Sequence, residues 1–189
     1  MSPRNSHRPR MIVKEMTMTL YKLLSALLDY PSQELFDHLP EVRQALDDCL
    51  NLNGAERATL RKFLARLEGG DITDIQADYV QTFDLTPEHS LHLTHHLFGD
   101  DKNRGPALID LSELYKDYGV EVSSNELPDY LPLILEFAAG LEESEARMFL
   151  SDAAKVFAVL AANLEKADSP YAPLVRIIED RATLTRLAA

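Results

Sequence analysis

Apolar residues in this chain recur mostly at every third or fourth position. Between Thr19 and Tyr30, Leu20, Leu23, Leu24, Leu27 and Leu28 fall on one helical face, and Pro31 ends the run. Ser32 can cap the next segment, which Pro40 divides into a short helix and one reaching about Leu50. Residues 54–68 repeat the pattern with Leu60, Phe63, Leu64 and Leu67 and stop at Gly69-Gly70. Asp71 introduces 72–84, where Ile75, Tyr79 and Phe83 share a face. Thr86 and Pro87 then predict a helix start for the stretch EHSLHLTHHLFGDD, residues 88–101.

Beyond it, 106–118 gathers Leu108, Leu111, Leu114 and Tyr115 and closes at Gly119. Pro128 marks a further helix start, with Asp129 well placed for the dipole. The stripe Phe149, Ala153, Val156, Phe157, Leu160 and Leu164 predicts one helix over 142–165, and a last one covers about 171–187. GVEV at 119–122 is a short extended candidate without a pairing partner. The expectation is an all-α fold, a compact bundle of about seven or eight helices spanning 17–189 as one domain.

A length of 189 residues with 46% hydrophobic and 26% charged residues suits a globular chain with a real core. A net charge of −12 would repel nucleic-acid phosphates, so that partner class is set aside. The same charge keeps a protein soluble or attracts a basic partner. Cys49 is the only cysteine, which excludes an intrachain disulfide and a cysteine-rich metal site. No apolar run approaches the roughly 20 residues needed to span a bilayer, so membrane insertion is not expected. The opening MSPRNSHRPR is basic and polar and no apolar signal region follows it. Residues 1–16 read as a disordered arm, a tag remnant or an early start, with Met11 or Met16 as alternative starts.

Four of the six histidines lie within 88–101, which raises the question of a metal or acid–base site. On a continuous helix His89, His92 and His96 would share a face and His95 would point elsewhere. His89 and His96 would stand about 10.5 Å apart along the axis, too far for one tetrahedral ion. Only His92 and His96 have zinc-ligand spacing, and HLTHH lacks the glutamate of HExxH. A metal-dependent enzyme using His92, His96 and Asp100 is therefore the weaker rival. No GxSxG elbow, phosphate loop or dinucleotide fingerprint occurs, so no catalytic residue and no cofactor is expected. The exit of the segment, Phe98-Gly99-Asp100-Asp101, reads as a corner in which Asp100 and Arg104 pair across the turn.

NELPDYLPLILEFAA, residues 125–139, sets Pro128 and Pro132 one turn apart in an otherwise apolar helix. Glu136 falls on the face of Asp129 and Pro132. Such a helix either shows carboxylates along an apolar wall, suited to a basic amphipathic peptide, or is a core helix with one paired glutamate.

Four pieces, LLDYP at 27–31, YVQTFDL at 79–85, HLFGDDKNRG at 96–105 and ELPDYLPLILEF at 126–137, carry a family resemblance. Weaker agreement continues through 142–165 to SPYAPL at 169–174. The chain resembles NarJ-type nitrate reductase molybdenum cofactor assembly chaperones, the delta-subunit family within the TorD-like redox-enzyme chaperones. The resemblance implies an all-helical, cytoplasmic, non-enzymatic assembly factor. Its partner would be the catalytic (alpha) subunit of nitrate reductase, held by its N-terminal peptide while the molybdenum cofactor is inserted and before membrane docking. Carried onto this sequence, it implies peptide-groove residues His96, Gly99, Asp100 and Arg104 in one motif. In the other they are Glu126, Pro128, Asp129, Leu131, Leu135 and Glu136, with Tyr79, Phe83 and Asp84 as groove support. A TorD-like chaperone for a DMSO or selenate reductase is the alternative. The basic arm and His89, His92 and His95 lie outside the family pattern. Such chains often continue into a longer acidic C-terminal region than this one carries.

Overall fold

The computed structural model describes residues 19–99, 101–122 and 126–183. The expected arm at 1–16, Asp100 and the end of the last expected helix lie outside them. Eleven α-helices are found among the described residues, and no strand beyond one isolated bridge. The fold class is all-α, as the periodicity predicts.

The centre is a pair. Helix α1 (Leu20–Leu28) starts at Thr19, whose hydroxyl caps the Lys22 N–H, and buries all five of its leucines. It packs along α8 (Leu131–Ala139), a helix so apolar that seven of its nine residues are buried. The two run antiparallel: Asp29, just past α1, accepts from Tyr130, just before α8, while Tyr21 reaches Glu143 beyond the other end of α8. Ser25, mid-helix in α1, donates to the Pro132 carbonyl at 2.7 Å; Pro132 stands in the first turn of α8.

Around this pair the chain winds through α2 (Gln33–Asp37), α3 (Leu39–Asp48), α4 (Gly54–Gly69) and α5 (Ile72–Tyr79). Ser32 caps α2, Asp71 caps α5, and α4 opens with a full capping box between Asn53 and Glu56. Then come α6 (Leu93–Phe98) and α7 (Arg104–Asp117), followed after α8 by α9 (Glu143–Ser151), α10 (Ala154–Lys166) and α11 (Ala172–Ala182). The α10–α11 hairpin closes the far side of the core, where Arg181 joins buried Glu56 through two 2.7 Å bonds and ties α11 to α4.

The helix count exceeds seven or eight because the short α2 and α3 stand as separate helices and one long expected helix is divided, while others are shortened or locally rewound. The 72–84 run widens into a π-helical turn at Val80–Asp84, keeping the Tyr79 and Phe83 rings 4.9 Å apart. Such turns concentrate near functional sites. The expected 142–165 helix is two, α9 and α10; Ser151 ends the first by donating its hydroxyl back to the Met148 carbonyl. Pro128 does not open a helix: residues 127–130 form a turn, with Tyr130 N–H on the Leu127 carbonyl, and α8 begins at Leu131. GVEV pairs with nothing extended among the described residues; Val120 N–H returns to the Tyr115 carbonyl.

Leu135 has no exposed surface and packs at the α1–α8 contact. Leu135→Ala should cost about 2–5 kcal/mol by leaving a cavity, read as a lower urea midpoint in far-UV circular dichroism with helicity in water unchanged.

Candidate functional site

Asp129 is fully buried, in a turn rather than on a helix. One carboxylate oxygen lies 3.1 Å from His92 Nδ1; the other accepts from the Thr94 N–H at 3.0 Å and from the Thr94 hydroxyl. Arg104 Nε donates to the same Thr94 hydroxyl oxygen at 3.0 Å, with its Nη2 4.0 Å from Asp129. The backbone reinforces the contact. Leu93 N–H bonds the Asp129 carbonyl, Leu131 N–H bonds the Leu91 carbonyl at 2.8 Å, and His92 and Tyr130 form an antiparallel bridge. Burial alone would raise the Asp129 pKa, but the bonds from His92 and Thr94 outweigh it and hold the carboxyl below its usual value.

This pairing corrects the histidine segment. Residues 87–89 form a 3-10 turn, 90–92 are extended, and only Leu93–Phe98 is helical. His89, His92 and His96 therefore do not share a helix face. His89 is buried with Nδ1 and Nε2 facing the Thr82 and Asn163 carbonyls. His96 Nε2 donates to the Ser90 carbonyl at 2.7 Å, and burial keeps its pKa below the usual histidine value. Among the described residues no three His, Cys, Asp or Glu side chains are grouped to hold a metal. The rival enzyme's ligand pair is pulled apart, His92 toward Asp129 and His96 toward Ser90.

The LLDYP, YVQTFDL and ELPDY pieces meet at a second node. Tyr130 donates to Asp29 Oδ1 at 3.1 Å, and the Tyr79 hydroxyl stands 3.0 Å from both the Leu28 carbonyl and the Tyr130 oxygen. Burial pushes both phenols well up, so they remain donors. Phe83 extends the cluster to Tyr171 at 4.9 Å.

Several expected groove residues are thus internal. Pro128 and Asp129 are buried, and Leu131 and Leu135 are fully enclosed in the core, so these four present no surface to a ligand in this conformation. Tyr79 and Phe83 are buried behind them, whereas Asp84 is exposed. Glu136 is exposed and shares no face with Asp129. Glu126 is half-buried, and Asp100, the expected partner of Arg104, lies outside the described residues. Gly99 ends α6 at φ +54°, a conformation that favours glycine. Thr94, His92, Tyr130 and Tyr115 were not anticipated as members of this region. The one available signal was that Tyr130 directly follows Asp129 and must point the opposite way in an extended pair.

What the two nodes support is an apolar seam between α7 and α8. Helix α7 buries only Tyr115 completely; its ring packs 4.7 Å from Phe137 of α8 and its hydroxyl donates to the Pro128 carbonyl. Leu111 packs against the core, Leu108 and Leu114 are likewise only half-buried, and Tyr118 is 55% exposed against Phe137. Leu133, Glu136 and Gly140 form the uncovered stripe of α8. Asp110 and Asp117 are exposed and, at about 100° per residue, lie roughly 140–160° around α7 from Tyr115, on the side away from α8. The seam offers a partly covered apolar surface with the exposed carboxylate of Glu136 beside it.

A separate cavity of about 480 Å³ lies between α4, α9, α10 and α11, lined by Glu56, Arg147, Arg176 and Arg181 among others. Its charges are largely satisfied internally: Arg181 by Glu56 and Glu143, Arg176 by Glu165 and Glu179. No residue of the four motif pieces lines it.

The all-helical fold agrees with comparison to known proteins. A profile of the nitrate reductase delta subunit family matches residues 47–176. The nitrate reductase molybdenum cofactor assembly chaperone NarJ of Escherichia coli strain K12 is 38% identical over 156 residues, which cover 82% of this chain and 66% of that protein. A Bacillus subtilis strain 168 relative assigned the same role is 33% identical over 158 residues, 84% of this chain and 85% of its own. A crystal structure from Archaeoglobus fulgidus, assigned as a redox enzyme maturation protein, superposes with a TM-score of 0.61 at 22% identity, covering 92% of this chain and 98% of that one. The chain belongs to the nitrate reductase delta subunit family.

Asp129→Asn keeps the shape and removes the charge. It should cost about 1–3 kcal/mol at neutral pH, because an amide cannot accept all the donors converging there. A depressed carboxyl stabilises the fold above its unfolded pKa of about 3.9 and loses that contribution as pH falls through its folded value. The gap between wild type and Asp129→Asn, read by urea titration, should therefore narrow as the medium is made more acidic than about pH 4.

Proposed function

We propose that this protein is a cytoplasmic chaperone that binds the N-terminal peptide of the apo catalytic subunit of nitrate reductase. It holds that subunit for molybdenum cofactor insertion and delays membrane docking until assembly is complete. It acts by binding and not by catalysis. The observation that carries the reading is the incompletely covered α7–α8 contact: half-buried Leu108, Leu111 and Leu114 and exposed Tyr118 on α7, with exposed Glu136 on α8. An amphipathic client segment would lay its apolar side chains on that surface, with a basic residue toward Glu136. The assigned roles of the E. coli and B. subtilis relatives support the choice of client.

Among the residues the resemblance suggests, Glu136 has the exposure a contact residue needs. His96, Gly99, Arg104 and Asp129 serve the groove by holding α6 and α7 in place, and Tyr79 by bracing Tyr130 at the entry to α8. Among the described residues no helix is long and apolar enough to cross a membrane, which suits a chaperone acting before membrane docking.

A synthetic N-terminal peptide of the nitrate reductase catalytic subunit should bind in calorimetry, more weakly as salt rises, since rim charges are screened. Glu136→Lys should raise the dissociation constant about threefold to tenfold, up to about 1.4 kcal/mol, with the melting curve unchanged. Absence of binding at low salt would rule the reading out. Tighter binding of the corresponding DMSO or selenate reductase peptide would reassign the client.

A further inference from the structure

We infer that α7 is a lid, hinged at Arg104 and latched by Tyr115, and that the client peptide binds α8 in the place this lid covers. The inference rests on the reading of the α7–α8 contact as the peptide site. Helices α4, α10 and α11, of comparable length, bury five or six side chains each. The 14 residues of α7 bury one, Tyr115. Its ring stands 4.7 Å from Phe137, and its hydroxyl donates to the Pro128 carbonyl at 2.8 Å. At about 100° per residue, Leu108, Leu111 and Tyr118 fall within roughly 60° of Tyr115 around the helix. One face of α7 is therefore turned toward α8, yet only Tyr115 on it is enclosed.

The two ends of the helix are held differently. At its start Arg104 donates to the Thr94 hydroxyl oxygen and stands 4.0 Å from Asp129, sharing in the bond set around a fully buried carboxylate. That end is the fixed one. Near the other end the Tyr115 hydroxyl and the rings of Tyr115 and Tyr118 hold the helix to the 127–130 turn and to α8. Gly119 closes α7 at φ +74°, with no atom within 4 Å of where a Cβ would stand, so packing does not wedge the exit. A helix of this length is marginal alone in water, so its order depends on the latch. Beneath it lies Phe137, 6% exposed, packed by Tyr115 and Tyr118 of α7 and, at 5.0 Å, by Phe149 of α9. Swinging α7 away removes two of these three rings. Phe137 is then open beside half-buried Leu133, one turn earlier on the same side of α8. The uncovered strip of Leu133, Phe137 and Phe149 is apolar and runs beside exposed Glu136. It suits an amphipathic peptide that sets an apolar side chain where the Tyr115 ring was and a cation toward Glu136. Closed, the chain keeps a large apolar surface from water and from indiscriminate partners. Its apparent affinity for the client is scaled by the fraction of molecules that are open.

The test uses the full chain. In native-state hydrogen exchange the amides of α7 should exchange at least about tenfold faster than those of α8, at a rate insensitive to low urea, as local opening requires. Exchange of α7 and α8 together, at the rate of global unfolding, overturns the lid. Tyr115→Phe removes the latch bond and keeps the ring. It should speed α7 exchange about threefold to tenfold. By the same factor it should tighten binding of a synthetic N-terminal peptide of the nitrate reductase catalytic subunit, because more of the chain is open. Leu60→Ala, which leaves a cavity in α4 among α3 and α11, separates this from general loss of stability. It should speed α8 exchange and leave α7 exchange and peptide affinity as they are. Faster α7 exchange in Tyr115→Phe with unchanged or weaker peptide binding overturns the coupling, the peptide then lying outside a closed α7. If the peptide binds none of these forms, the proposed function fails, while the exchange rates still decide whether α7 lifts.

Discussion

Everything that distinguishes this fold from a plain helical bundle hangs on the burial of one carboxylate. Placing Asp129 out of water is costly unless its lone pairs are occupied, and three donors occupy them: His92 Nδ1, the Thr94 amide and the Thr94 hydroxyl. All three come from a segment 35–37 residues earlier, so the bond set closes a long loop rather than decorating a local turn. That loop contains α6 and α7. The Tyr115 hydroxyl, from the one fully buried residue of α7, also ends on the 128–130 turn. Both anchors of the α6–α7 arm thus converge on the few residues that lead into α8.

An arm held by polar bonds along one line need not bury its apolar face completely. Apolar burial contributes about 25 cal/mol per Å², and a helix fastened mainly by it would be drawn down until Leu108, Leu111 and Leu114 were covered. Here α7 is tied through Tyr115, which packs on Phe137, and through Arg104 on Thr94, and its leucines are only half-buried. The incomplete cover of α7 thus goes with an attachment made largely by polar bonds at its two ends.

What the sequence disclosed follows the range of the interactions involved. The leucines of α1, the capping residues Ser32, Asn53 and Asp71, and the apolar run of α8 are local features, and periodicity finds them. The split between α9 and α10 turns on one serine hydroxyl choosing a backbone acceptor, a small energy beside a strong apolar stripe. The extension at 90–92 was beyond local reasoning altogether, since Thr86, Pro87 and the spacing of His92 and His96 all favour a helix. It yields because its backbone bonds are supplied by Leu131 and Asp129. The same distant pairing moved Asp129 from an expected ligand contact to an internal pin and separated it from Glu136.

The resemblance motifs and the seam accordingly divide the work. Residues carrying the motifs, among them Tyr79, His96, Arg104, Pro128, Asp129, Leu131 and Leu135, are occupied with one another or with the core. The residues that floor the seam, Leu108, Leu111, Leu114 and Tyr118, fall between the motifs, in a stretch where any apolar side chain of suitable size would serve. A scaffold of this kind admits only one solution for the pin and many for the floor. Specificity for a particular client would then reside in the pattern of side chains and carboxylates along α7 and the outer stripe of α8, which can change without disturbing the bonds that hold the arm in place.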